Sequence, residues 1–134
     1  MLVLGIDPGS RAAGYGLVAA DGNRLTAIDY GVVKPPPTKE SSPRLKWIFN
    51  EFSKIVNEHG PDEIADLPLH EYSALEVKKA LTGSGRAEKS QVADMVCRLL
   101  ALKETPKPDD VTDSLAVAIC HIHSSARIRR IAAG

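Results

Sequence analysis

Within its first 33 residues the chain carries three apolar segments broken only by turn-forming residues, and this stretch constrains the fold more than any other. Leu2 to Ile6 and Tyr15 to Ala20 are short apolar runs, and Pro8, Gly9, Ser10 and Arg11 between them read as a loop. Asp21-Gly22-Asn23 supplies residues that tolerate positive φ, ahead of Leu25, Ala27, Asp29 and Gly31-Val32-Val33. That pattern predicts a hairpin of strands two and three, and an antiparallel three-stranded start. Pro35-Pro36-Pro37 cannot donate to a ladder, so the chain leaves the sheet there and enters a helix.

Pro43 suits a first helical turn, and Leu45, Ile48, Phe49, Phe52, Ile55 and Val56 recur every three or four residues until Gly60-Pro61. Ser73-Ala74-Leu75-Glu76 reads as a capping box that opens a second helix, closed at Gly83. A third helix is predicted from about Ala87, with Val92, Met95, Val96, Leu99 and Leu100 on one face. A fourth starts near Asp109 or Asp110 and turns Leu115, Ala118, Ile119 and Ile122 inward. Arg127, Arg129 and Arg130 in its last turns suit the negative end of a helix dipole.

A core built from Val, Ile, Leu and Ala, with few aromatics, suits α/β layering. A length of 134 residues predicts one domain, residues 1–134, and excludes a two-domain enzyme with a closing cleft. Hydrophobic residues at 43% and charged residues at 25% exclude a disordered or collagen-like chain. Aromatics contribute only 4%, so the core must be aliphatic. Cys97 and Cys120 sit inside helical apolar patterns and make no disulfide framework, which points to a reducing compartment. The start MLVLGID has no basic leader and no apolar run approaches a membrane span, so a cytoplasmic protein without a membrane partner is expected.

The formal charge is zero, yet residues 1–72 hold 7 basic against 10 acidic side chains and residues 73–134 hold 10 against 7. A zero total argues against generic capture of nucleic acid, while the asymmetry allows a basic face beside an acidic cleft.

The strongest chemical constellation is Asp110-Val111-Thr112-Asp113, two carboxylates at i and i+3 on the first turn of a helix, sharing one face. Capping alone would explain one such acid. Asp7 ends the first strand before Pro8-Gly9, where an acid can simply start a turn. If the three meet at a strand end, like charges that close cannot all stay ionised without a cation. Hard oxygen ligands favour Mg²⁺ or Mn²⁺ over zinc. Such clusters activate water in phosphodiester hydrolysis, so the residues point to a metal-dependent nuclease.

Three blocks carry a resemblance. Leu4-Gly5-Ile6-Asp7-Pro8-Gly9-Ser10 with Gly14-Tyr15-Gly16 is the first. Val77-Lys78-Lys79-Ala80-Leu81-Thr82-Gly83 with Gly85-Arg86-Ala87-Glu88-Lys89-Ser90-Gln91-Val92 is the second. Pro108 to Ala116 with Ile119-Cys120-His121 is the third. In this order they resemble the RuvC family of Holliday-junction resolvases over nearly the whole chain. The resemblance implies a ribonuclease H-like mixed sheet flanked by helices, a homodimer, and Mg²⁺-dependent cutting of four-way DNA junctions, with Mn²⁺ as a substitute. It also implies a place beside a branch-migration helicase in recombination and repair. By that match Asp7, Asp110 and Asp113 are three of four catalytic, metal-binding carboxylates, and Lys78 and Lys89 match basic positions near the DNA; together with Arg86 they are expected to hold DNA phosphates.

The chain departs from the family after Ala65. The family's glutamate, an aromatic-bearing loop and a crossover helix are absent, and Asp62-Glu63-Ile64-Ala65 runs straight into Asp66-Leu67-Pro68-Leu69. Parallel neighbouring strands need a crossover of about a dozen residues or more. Either Glu63 to Tyr72 is one merged strand broken at Pro68, or one strand is missing. Asp66 then becomes a candidate stand-in near Asp7, and a junction-binding module that cannot cleave is the alternative function.

Other signals are weaker. Gly83 to Ser90 nearly spells a phosphate loop, but Glu88 stands where glycine is needed and a helix precedes it. An actin-like ATPase would need a second Asp-x-Gly loop, for which Asp29-Tyr30-Gly31 is the candidate. Cys120, His121 and His123 point apart on a helix, which favours core packing for the cysteine and rim positions for the histidines, with His121 open to a place at the edge of the acidic site. His70 and Glu71 are expected to flank a strand end.

Overall fold

A computed structural model describes residues 1–8, 12–35, 41–66 and 74–133, with the side chains of residues 41–45, 66 and 125–133 outside the description. The capping-box residue Ser73, His70, Glu71, and the merged strand beyond Asp66 all lie outside the described residues. So do the side chains of Arg127, Arg129 and Arg130.

The elements run β1 (Leu2–Asp7), β2 (Ala13–Asp21), β3 (Arg24–Val33), α1 (Ser41–His59), β4 (Glu63–Asp66), α2 (Ala74–Thr82), α3 (Lys89–Leu100) and α4 (Asp109–Ala133). The described strands form one sheet in the order β3-β2-β1-β4. β2 and β3 pair antiparallel through Asp21↔Arg24, and Gly22 takes φ +61° in the turn, as the hairpin pattern requires. β1 pairs antiparallel with β2 and parallel with β4, where Leu4 faces Ile64, Gly5 faces Ala65 and Ile6 faces Asp66. Asp29-Tyr30-Gly31 lies inside β3 and pairs with β2, so it is no phosphate loop.

The pleat divides β1 between two layers. Val3, Gly5 and Asp7 face α4, where Val3, Val18, Ala65, Leu115 and Ile119 are all fully buried. α2 and α3 pack onto α4 and contribute Val77, Leu81, Val92, Val96 and Leu100 to the same aliphatic core. Leu4 and Leu17 point to the opposite face, toward α1, and are also fully buried.

The helices match their sequence patterns with two corrections. Phe49, expected on the inner face of α1, is 70% exposed. Its neighbours Ile48, Phe52, Ile55 and Val56 are only partly covered, because α1 meets the sheet chiefly at β3 and through an edge contact of Phe52 with Tyr15. α3 begins at Lys89, not Ala87, because Glu88 caps it: its side chain accepts from the backbone of Gln91, and the Gln91 side chain accepts from the Glu88 N–H at 2.8 Å. The residue that spoils a phosphate loop therefore builds a helix start.

Candidate active site

Helix α4 can lie close on the sheet only because three facing positions lack a side chain. A Cβ on Gly5 would stand 2.0 Å from the Ser114 carbonyl oxygen, one on Gly14 would stand 2.2 Å from the Asp110 carbonyl oxygen, and one on Gly16 would stand 2.5 Å from Leu115. These glycines make a groove across β1 and β2 that seats the first turns of α4. The seat is fixed at the helix start, where the buried Thr112 hydroxyl donates to the Pro106 carbonyl at 2.8 Å and Ser114 donates to that of Val111 at 2.7 Å. Sequence reasoning picked out these glycines as parts of a motif but not their purpose, since close approach of a helix from elsewhere in the chain leaves no local signal.

The consequence is a meeting of acids distant in sequence. Asp7 at the end of β1 and Asp110 and Asp113 on α4 bring one carboxylate oxygen each within 4.8 Å of one another. Burial, then the charges of Asp113 and Asp110, push the Asp7 carboxyl from an ordinary 3.8 up to about 7. A hydrogen bond with Asp110 adds to the rise at Asp7, and a hydrogen bond with Asp7 works against the rise at Asp113. Asp113 is itself raised by burial, with Lys89 opposing and Asp109 and Asp110 adding to the rise. Three partly buried oxygen donors that strain against joint ionisation fit a hard divalent cation.

Beside the acids lies a cavity of about 290 Å³, lined on its polar side by Asp7, Asp113, Lys78 and Lys89. Lys78 projects from α2 and Lys89 from the start of α3, where its ammonium stands 4.0 Å from Asp109. Arg86 is exposed in the turn before α3 and does not line the cavity. The register sets Asp66 beside Ile6, and its side chain lies outside the described residues.

The last helix carries no second metal site among the described residues. Cys120 is buried, and burial pushes its thiol up to about 11, so it packs as a core residue; Cys97 is also unpaired. His121 contacts Glu63, which pairs with Val3 at the start of β1, so it stands away from the acidic end of the strand.

A sequence model of the family "Crossover junction endodeoxyribonuclease RuvC" matches residues 3–66 and again 65–121. The two matches meet at the end of β4. The chain is 39% identical to the crossover junction endodeoxyribonuclease RuvC of Alkaliphilus oremlandii over 154 aligned positions, covering 92% of this chain and 94% of that one. Its counterpart from Heliobacterium modesticaldum is 42% identical, covering 92% of this chain and 95% of the relative. Since 92% of 134 residues is about 123, about 31 of the 154 positions have no residue here. The structure resembles Thermus thermophilus RuvC with a TM-score of 0.84 at 30% identity, over 91% of this chain and 93% of that one. It resembles T. thermophilus RuvC in complex with a Holliday junction substrate with the same TM-score of 0.84 at 28% identity, over 93% and 94% of the two chains. Among the described residues no helix is long and apolar enough to cross a membrane. With its acids gathered on a ribonuclease H-like sheet and its sequence matched on both sides of β4, the chain belongs to the RuvC family of crossover junction endodeoxyribonucleases, shortened after that strand.

Proposed function

We propose that this chain is a divalent-ion-dependent endonuclease that resolves four-way DNA junctions, with Asp7, Asp110 and Asp113 as its catalytic carboxylates and metal ligands. The observation that carries the reading is the convergence of three carboxylate oxygens within 4.8 Å from β1 and α4. Mg²⁺ is the ion proposed, with Mn²⁺ able to substitute, because every donor is a hard carboxylate oxygen. When bound, the ion supplies charge stabilisation at the scissile phosphate and a more acidic water.

The chain's own groups have distinct tasks. Asp7, Asp110 and Asp113 would hold the ion, and the glycine seat under α4 keeps Asp110 and Asp113 against Asp7. Lys78 and Lys89 at the cavity, with Arg86 farther out, hold backbone phosphates and so position DNA without reading its sequence. A four-way junction has two-fold symmetry, so a C2 homodimer would present two such sites; sedimentation at increasing concentration tests for it. A helicase-type partner of the junction machinery belongs to the same reading.

Cleavage of a labelled four-way junction in Mg²⁺ is the decisive assay, run beside a gel shift in Ca²⁺. Asp7→Asn and Asp113→Asn should each lower cleavage by about a hundredfold or more while leaving the shifted complex. A second reading is favoured by one observation: about 31 aligned positions of the relative have no residue here, and the family model matches in two pieces that meet at β4. If those positions held a needed ligand, the chain binds junctions and does not cut. A shifted complex with no nicking in Mg²⁺ or Mn²⁺ would establish that module and refute the nuclease.

A further inference from the structure

The start of α4 has two flanks, and the cavity beside the acids occupies one of them. Asp113 and Ala116 border that cavity, whereas the neighbouring Thr112 turns to the Pro106 carbonyl. On this second side an open groove of about 650 Å³ lies between β3 and the segment that leads into α4, lined by Tyr30, Glu104, Thr105, Pro106 and Lys107. Tyr30 is 39% exposed. The register fixes where the groove stands: Asp7 is opposite Gly14, Gly14 is opposite Val32, and Tyr30 is two residues from Val32. Two strand spacings of about 4.8 Å and two rises of about 3.4 Å put the Tyr30 and Asp7 backbones about 12 Å apart. Tyr30 also pairs with Gly16 of the glycine seat, so it stands on the same sheet face as the acids.

An added protein strand does not fit this edge. The Tyr30 N–H donates to the Asp29 side chain at 2.9 Å, and the β2–β3 register shifts at Leu17/Val18, so the regular ladder that an added strand needs is interrupted. The lining suits a nucleic-acid backbone instead, because a phenol, a hydroxyl and an ammonium group all donate to phosphate and sugar oxygens.

We infer that this groove receives the sugar–phosphate backbone of one junction arm, about three or four nucleotides from the phosphate held at the acids, with Tyr30 and Lys107 as its donors. The inference rests on the nuclease reading above. The spacing follows from the separation of about 12 Å and a rise of about 3.4 Å per nucleotide along a duplex strand. Lys78 and Lys89 then grip DNA on one flank of α4 and Tyr30 and Lys107 on the other, so the scissile phosphate is fixed from both sides. The hydrogen bond from Thr112 to Pro106 ties the second grip to the helix that carries Asp110 and Asp113. Glu104 in the same lining opposes an anion, which makes the contact a local one and not part of a broad positive field.

Hydroxyl-radical footprinting of a four-way junction bound by the wild-type protein, in Ca²⁺ so that no cleavage intervenes, tests the contact. Two protected patches are expected, one at the scissile phosphate and one about three or four nucleotides along the same arm. Tyr30→Ser combined with Lys107→Gln should erase the second patch and keep the first, weaken binding about fivefold, and lower the slope of log affinity against log salt by about 1. Glu104→Gln should tighten binding about twofold. Lys54→Gln removes the same charge from an exposed position on α1 and should leave both patches in place. A complex protected only at the scissile phosphate overturns the contact and leaves the nuclease reading standing. So does a double variant that keeps the second patch, or a Lys54→Gln loss of affinity as large as that of Lys107→Gln. Absence of any complex overturns the junction reading and the contact with it. Should Tyr30→Ser not fold, Lys107→Gln alone decides, since Lys107 is exposed and both the second patch and the salt slope respond to it.

Discussion

The two faces of the sheet are built differently. On the α4 face three glycines, the zero-exposure side chains of Leu115 and Ile119, and helices α2 and α3 close a continuous aliphatic core. On the α1 face Leu4 and Leu17 are sealed, but Ile64 on the neighbouring β4 is 48% exposed and Phe49 on α1 is 70% exposed. α1 is held there by the Tyr15–Phe52 ring contact and by His59, whose imidazole lies 3.4 Å from Asp29, which also accepts from the Tyr15 hydroxyl at 3.3 Å. The acids depend on the first face alone. The relatives carry about 31 aligned positions that this chain lacks, and the chain still gathers three carboxylates.

That contrast is broken most directly at the glycine seat. Gly5→Val would drive a side chain into the Ser114 carbonyl and should cost about 4 kcal/mol or more in urea unfolding, because backbone cannot step aside. Leu4→Ala, at the sealed centre of the α1 face, should cost about 2–4 kcal/mol. A Leu4→Ala loss equal to that of Leu115→Ala would show that the two faces are packed alike, and would refute the contrast.

The acids themselves give a prediction of opposite sign. The unfolded chain ionises Asp7 near 3.8, whereas the folded chain holds the proton to about 7, so between those values the native state binds more protons. Stability of the ion-free protein on this account falls as pH rises from about 4 to about 7, and the loss is complete above the folded value. Asp7→Asn removes the penalty. At pH 8 without divalent ions the variant should be more stable than wild type by about 1–2 kcal/mol, a figure reduced for partial exposure, and at pH 4 the two should coincide. Adding Mg²⁺ should raise the melting temperature of wild type and not that of the variant. A wild-type protein equally stable at pH 5 and pH 8 in chelator would contradict the crowding of the cluster.

Much of this was legible in the sequence, and what escaped it shares a cause. The apolar runs Leu2–Ile6 and Tyr15–Ala20, the Asp-Gly-Asn turn and the spacing in α3 and α4 are local, and the structure follows them. The i, i+3 pair Asp110 and Asp113 was visible as a shared face, and Asp7 as a strand end. What brings them together was not visible, because Gly5, Gly14 and Gly16 act on a helix about a hundred residues away. The Glu88–Gln91 capping box was hidden behind a glycine-rich string that looked like a different motif. Phe49 was misplaced because periodicity reports which side of a helix is apolar and not whether anything remains to cover it.

Phe49 therefore supplies the smallest and most informative prediction. A phenylalanine buried in a core costs about 3–5 kcal/mol to truncate, whereas a surface substitution away from special features stays within about 0.5 kcal/mol. At 70% exposure Phe49 belongs to the second class, so Phe49→Ser should shift the urea midpoint by less than about 0.5 kcal/mol at low protein concentration. The measurement should be repeated over a hundredfold range of concentration, since a face covered by another copy would make both the midpoint and the effect of the substitution concentration-dependent. A loss above about 1.5 kcal/mol at every concentration would mean that α1 is packed within the chain as fully as α4, and the difference between the two faces would disappear.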